Sequence, residues 1–104
     1  MRARRTDANH SAIAEAFEKA GFSVHRTNGY WDLTIGFGGI TLLIEVKDGT
    51  KPPSKRKLTP REAKFHSTWT GGIRIVKSVD EISEIRKTVL ADLDAIKKAR
   101  LLTF

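Results

Sequence analysis

The chain has no cysteine. Disulfides, a cysteine nucleophile and a thiolate zinc site are therefore excluded, and the composition fits a reducing compartment. Proline numbers only 3 and glycine 8 in 104 residues, which argues against wholesale disorder. No apolar run approaches the ~18 residues needed to cross a bilayer, so no membrane partner is expected. The N-terminus lacks the apolar stretch of a secretion signal. Acidic residues are also in short supply. Twelve Asp plus Glu face 19 Lys plus Arg, a formal charge of +7. That excess favours a polyanionic partner and weighs against a basic substrate, although it also serves solubility in a small domain. The length suits one domain with one core, taken as residues 1–104.

Residues 1–6 carry Arg2, Arg4 and Arg5 before any periodic pattern and read as a basic arm. Residues 7–20 read as a helix, with Asp7 or Asn9 as its cap and Ile13, Ala16, Phe17 and Ala20 at helical spacing. Residues 22–27 alternate as a short strand, and Asn28-Gly29 marks a turn. Trp31–Phe37 and Ile40–Lys47 read as two strands around Gly38-Gly39, a dipeptide that suits a tight hairpin. Residues 48–58 form a loop loaded with Lys51, Lys55, Arg56 and Lys57. Thr59, Pro60 and Glu62 spell a capping box, predicting a second helix to about residue 70. Phe65 and Trp69 share one face of it and are expected to pack it on the sheet. Residues 73–77 read as a fourth strand. Ser78 and Glu81 offer a second capping box for a helix over 79–99, with Ile82, Ile85, Val89, Leu93 and Ile96 on its buried face. Leu102 and Phe104 form a short apolar tail. The order α-β-β-β-α-β-α predicts a mixed four-stranded sheet flanked by helices, with strands three and four parallel across the middle helix.

A two-residue turn at Gly38-Gly39 pairs residues whose numbers add to 77. Leu33, Ile35, Phe37, Ile40, Leu42, Ile44 and Val46 then form one apolar face, expected to be core. Asp32 falls opposite Glu45, at the ~4.5–5.5 Å of directly paired Cβ atoms, and Lys47 lies on the same face. Two carboxylates at that distance repel unless Lys47, a shared proton or a cation neutralises them. A hard cation such as Mg²⁺ or Mn²⁺ takes oxygen ligands, which Asp32, Glu45 and the Val46 carbonyl would supply. Such a centre suits phosphodiester hydrolysis, which adds charge to a group already anionic, with Lys47 beside the attacking water. A solvated strand face with a surface salt bridge accounts for the same three residues.

Asp32 followed by Glu45-Val46-Lys47 resembles the D-x(n)-E-x-K signature of the PD-(D/E)xK nuclease superfamily, and the element order resembles its restriction-endonuclease-like core. The nearer resemblance is to small phage and bacterial VRR-NUC-type nucleases. It is carried by Asp32-Leu33, Glu45-Val46-Lys47, the basic loop, and Leu58-Thr59 through Glu62 to Phe65-His66, then Gly71. The resemblance implies a Mg²⁺- or Mn²⁺-dependent endodeoxyribonuclease with Asp32, Glu45 and Lys47 as its catalytic centre. It extends to Holliday junction resolvases, which implies a homodimer acting on branched or duplex DNA. It also implies a cytoplasmic setting in a bacterial or phage-infected cell. Trp31 stands where relatives carry proline. The first-helix ligand of relatives falls on His10 by alignment, with Glu15 the better ligand by chemistry. Glu62 occupies the place of a glutamine, and one side chain is expected either to cap the helix or to serve the site. His66, one turn on, is a further candidate, or a surface or packing histidine. Lys51, Lys55, Arg56, Lys57, Arg61 and Lys64, with the N-terminal arginines and Tyr30, are the expected DNA contacts. Nothing resembles a recognition helix or zinc finger, so sequence-independent or structure-selective binding is expected. A non-catalytic DNA-binding module and a purely structural protein are the competing readings.

Overall fold

The computed structural model describes residues 8–27 and 29–103. The expectations for Arg2, Arg4, Arg5, the Asp7 cap, Asn28 and Phe104 lie outside the described residues, as does the side chain of Leu102. Helix α1 spans Ala8–Lys19, followed by β1 (Ser23–Arg26), β2 (Leu33–Phe37) and β3 (Ile40–Val46). A 3₁₀ turn over Pro53–Lys55 interrupts the basic loop. Helix α2 (Pro60–Thr68), β4 (Ile73–Val76) and α3 (Ile82–Thr103) complete the order, with a 3₁₀ turn at Val79–Glu81 leading into α3.

The sheet runs β1-β2-β3-β4, antiparallel across the first two pairs and parallel between β3 and β4. The hairpin register is the expected one: Phe37 pairs Ile40 and Leu33 pairs Ile44. Gly38 and Gly39 have φ of 59° and 92°. A turn whose twist matches the strands needs positive φ at both places, which side chains resist. The parallel β3–β4 pair follows from the intervening helix, which returns the chain to the same end of the sheet.

One face of the sheet holds the core. Leu33, Ile35, Ile44 and Val76 are buried with Ile13, Ala14 and Phe17 of α1 and Ile82, Ile85 and Val89 of α3. Both long helices therefore cover the same face. Phe22 closes the cluster edge-on to Phe17, with ring centroids 5.4 Å apart. Leu93 packs against this cluster, but Ile96 is 43% exposed, against the expectation that it lines the buried face. A helix of 22 residues is about 33 Å long at 1.5 Å per residue, longer than the sheet it crosses. Beyond Leu93 its described residues, as far as Leu101, are all exposed. Asn9 is inside α1 rather than its cap, and its side chain has another use, described below. Among the described residues no helix is long and apolar enough to cross a membrane.

The second helix is held differently. Thr59 Oγ1 accepts the Glu62 N–H at 3.2 Å, and Glu62 Oε1 accepts the Thr59 N–H at 2.9 Å. None of the described residues of α2 is buried. With so little packing, its start depends on the cap. Thr59→Ala is expected to cost about 1 kcal/mol in urea unfolding. An unchanged urea midpoint would mean that side-chain contacts alone hold α2.

Candidate active site

Asp32 stands immediately before β2, and its N–H donates to the Ile44 carbonyl at 2.9 Å. That bond is offset by one from the ladder, in which Ile44 already pairs Leu33. The pairing therefore bulges at Asp32, and the directly opposed Asp32–Glu45 pair expected from the register is replaced by a shifted one. The carboxylate turns back across β3, where Oδ2 accepts the Val46 N–H at 2.8 Å. Glu45 enters from β3 on the face opposite Ile44 because strand side chains alternate. Asp32 and Glu45 are the buried charged residues among those described, 7% and 2% exposed.

Burial is the largest force on Glu45. It penalises the charged form, and the hydrogen bond with Glu62 and the charge of Asp32 add to it. Together they push the carboxyl up to about 9. Glu62 moves the other way. Burial works against its charge, but hydrogen bonds from Glu45, the Thr59 N–H and Lys47 outweigh that and hold it down at about 2. Their surroundings thus favour the neutral form of Glu45 and the charged form of Glu62. Lys47 Nζ lies 2.9 Å from Glu62 Oε1 and 3.4 Å from Glu45 Oε1. Burial disfavours its charge, yet the two glutamates raise its pKa and keep it an ammonium.

Glu62 was expected to cap or to serve the site. Its Oε1 caps the helix at the Thr59 N–H and also meets Lys47 Nζ, at 2.9 Å each. A carboxylate oxygen has two lone pairs, and the cap consumes one. The helix cap and the acidic centre are therefore one hydrogen-bonded unit.

The first turn of α1 completes the surroundings. Asn9 Nδ2 donates to the Lys47 carbonyl at 2.8 Å and the Lys77 carbonyl at 3.3 Å. These carbonyls lie just past the ends of two parallel strands, where the ladder stops. Asn9 thereby pins α1 to the open end of the sheet, a role the sequence pattern did not reveal. The next residue, His10, brings Nε2 to 3.8 Å from Asp32 Oδ1. Glu15 is exposed, about 140° further round the helix at 100° per residue. Of the two first-helix candidates, His10 is the one beside Asp32.

The other candidates lie further out. His66 is half-buried with its ring edge-on to Phe65, centroids 6.3 Å apart. Lys51, Lys55, Lys57, Arg61 and Lys64 are exposed, while Arg56 is half-buried. Phe65 and Trp69 make ring contacts that their helical spacing did not indicate. Phe65 stacks on Tyr30, Trp31 and Trp69, in the segment before β2 and at the end of its own helix. Trp31 is fixed by an Nε1 donation to Thr34 Oγ1 at 2.9 Å.

Among the described residues, no three His, Asp or Glu side chains converge closely enough to form a metal cluster. The donors that do meet are carboxylate oxygens of Asp32 and Glu45 beside the Val46 backbone. Their chemistry fits a hard divalent cation, which would draw its other oxygens from water or substrate. The raised Glu45 carboxyl fits too, because such a cation would stabilise the anion that burial opposes. No protein-family model matches the chain, and no curated protein or solved structure matches it.

Proposed function

We propose that the chain is a metal-dependent DNA endonuclease that hydrolyses phosphodiester bonds without reading base sequence, or selects DNA by its shape. The observation that carries this reading is Glu45, 2% exposed, beside Asp32 and Lys47 at the end of a sheet. A buried acid costs stability unless its surroundings compensate it, so its position needs a reason. The resemblance of Asp32, Glu45-Val46-Lys47 and the Leu58–His66 block to VRR-NUC-type nucleases points the same way.

In this mechanism Asp32, Glu45 and the Val46 carbonyl hold Mg²⁺ or Mn²⁺, with His10 in reach of Asp32. The bound cation supplies Lewis-acid polarisation of the phosphoryl group and a more acidic water. Lys47 keeps a proton on Nζ and presents that charge where negative charge develops on the phosphate. Glu62 holds Lys47 in place through the 2.9 Å contact and so acts as a positioning residue. The exposed Lys51, Lys55, Lys57, Arg61 and Lys64 contact the phosphate backbone. A homodimer belongs to the same proposal, built on the outer half of α3, where Ile96 and Leu101 are exposed.

The ion pair of Lys47 with Glu62 at 2.9 Å, and its 3.4 Å contact with Glu45, favour a second reading. There Lys47 is the permanent counter-charge and the chain is a DNA-binding module without turnover. Cleavage of plasmid, linear and four-way-junction DNA with Mg²⁺, Mn²⁺, Ca²⁺ or EDTA separates the two. The nuclease reading expects Mg²⁺- or Mn²⁺-dependent cleavage, at least about 100-fold weaker in folded Glu45→Ala and Lys47→Ala proteins. No cleavage of any substrate, with salt-sensitive binding intact in all three proteins, would overturn it in favour of the binding module.

A further inference from the structure

Four aromatic rings meet beside the acidic centre, with Phe65 in the middle. Its ring lies within 9° of parallel to Tyr30, 19° to Trp31 and 23° to Trp69, at centroid distances of 5.4, 5.3 and 5.6 Å. Offset parallel stacking of this kind is favourable, and such clusters ordinarily gain most from burial. This one stays open to solvent. Tyr30 is 44% exposed and Trp69 42%. Cations accompany it. The Arg61 guanidinium lies 4.8 Å over the Tyr30 ring, and its hydrogen bond and charge hold the phenol below its usual range. Tyr30, Arg61, Lys64, Phe65 and Thr68 line a cleft of about 320 Å³. That is within the ~300–1,000 Å³ of small-ligand sites.

An open aromatic shelf edged by arginine and lysine suits a flat, π-rich group attached to an anion. A nucleotide has that chemistry. Bases inside a duplex have both faces covered by their neighbours, so only an unpaired base can stack there. Two of the segments that build the acidic centre also build the shelf. Trp31 directly precedes Asp32, and Arg61 and Phe65 flank Glu62 on α2. We propose that the Tyr30–Phe65–Trp69 shelf is a subsite for an unpaired nucleobase, with Arg61 and Lys64 on its phosphates, so that the substrate carries single-stranded nucleotides beside the bond that is cut. The position of the cut rests on the nuclease reading; the base subsite rests on the rings and cations themselves. Every base has a π face, so the subsite selects strand structure and leaves sequence unread.

The test is binding by the whole chain in EDTA at about 0.15 M salt, where turnover plays no part. Fluorescence anisotropy compares a labelled oligothymidylate with an abasic oligonucleotide carrying the same number of phosphates. A fully paired duplex serves as the third probe. The thymidine strand is expected to bind about tenfold more tightly than the abasic one and to quench tryptophan emission. Tyr30→Leu and Trp69→Leu, each at an exposed ring, are expected to move thymidine affinity toward the abasic value. Equal affinity for the base-bearing and abasic strands would overturn the subsite, as would an unchanged preference in both variants. Base preference without cleavage of any DNA would leave the subsite standing and remove the nuclease reading. Cleavage of plain duplex without base preference would do the reverse.

Discussion

Glu45→Gln, freed of divalent metal, is expected to be more stable than the parent at pH 8, by a margin that shrinks as the pH falls toward 4.5. Burial first, then Glu62 and Asp32, raise the folded carboxyl from 4.5 to about 9. Between those values the folded parent binds a proton that the unfolded chain has released. Stability therefore falls as pH rises through this window, at up to about 1.4 kcal/mol per unit for one proton. Below 4.5 both states are protonated and the loss disappears. Glutamine removes the titration while keeping the shape and an N–H donor for Glu62. Glu62 does not blur the result. Its folded value of about 2 lies below its unfolded 4.5, so its stabilisation is complete above 4.5 and fades only as pH falls toward 2. Thermal unfolding from pH 5 to pH 9 in EDTA reads the effect. A gain independent of pH, or a less stable variant, would mean that Glu45 is not held protonated by the fold. Adding Mn²⁺ gives the converse. A cation on Asp32 and Glu45 should raise the unfolding temperature of the parent at pH 8, through binding to the folded state alone, and should leave Glu45→Gln nearly unmoved.

Lys47→Met is the second large effect. Its ammonium lies between Glu45 and Glu62, and all three side chains are largely shielded from water, 15%, 3% and 20% exposed. Methionine keeps most of the volume and removes the charge. Glu62 then keeps its carboxylate without the nearest cation. The expected cost is about 2–4 kcal/mol, much of it from the stranded acid rather than from the lost ion pair. A double-mutant cycle separates the two. Glu62→Gln keeps a side chain able to complete the capping box, so α2 retains its start. Combined with Lys47→Met, it should recover about 1–3 kcal/mol relative to additivity. Additive losses in urea unfolding would show that Lys47 and Glu62 are not coupled, and Glu62 could not then position Lys47 in the proposed mechanism.

Several features were legible because they are set by local rules. Gly38-Gly39 dictates a two-residue turn, the turn dictates the pairing, and the pairing puts Asp32 beside the Glu45 strand. Thr59, Pro60 and Glu62 mark the start of α2 for reasons within four residues of chain. The apolar alternation on β2 and β3 chose the core face before any contact was known. Other features escaped these rules. Helical spacing showed that Phe65 and Trp69 share a face but not that Phe65 would stack on the Tyr30 and Trp31 rings from before β2. Ile96 kept the period of its helix past the point where the sheet ends. Asn9 read as a cap because asparagine often is one, whereas its amide was needed 38 residues away at the Lys47 carbonyl.

By itself, then, the sequence determined the element order, the hairpin register from Leu33 to Phe37, the core face and the nearness of Glu45 to both Asp32 and Lys47. Each depends on side-chain alternation, turn conformation or capping, which act over a few residues or across one tight turn. Only the tertiary structure decided that both long helices cover the same face, that His10 rather than Glu15 lies beside Asp32, and that Glu62 joins its cap to Lys47. It also decided that four rings stack in the open beside that centre. These outcomes depend on where separate elements come to rest against one another. That is set by the summed packing of surfaces far apart in the chain, for which no local spacing stands as a sign.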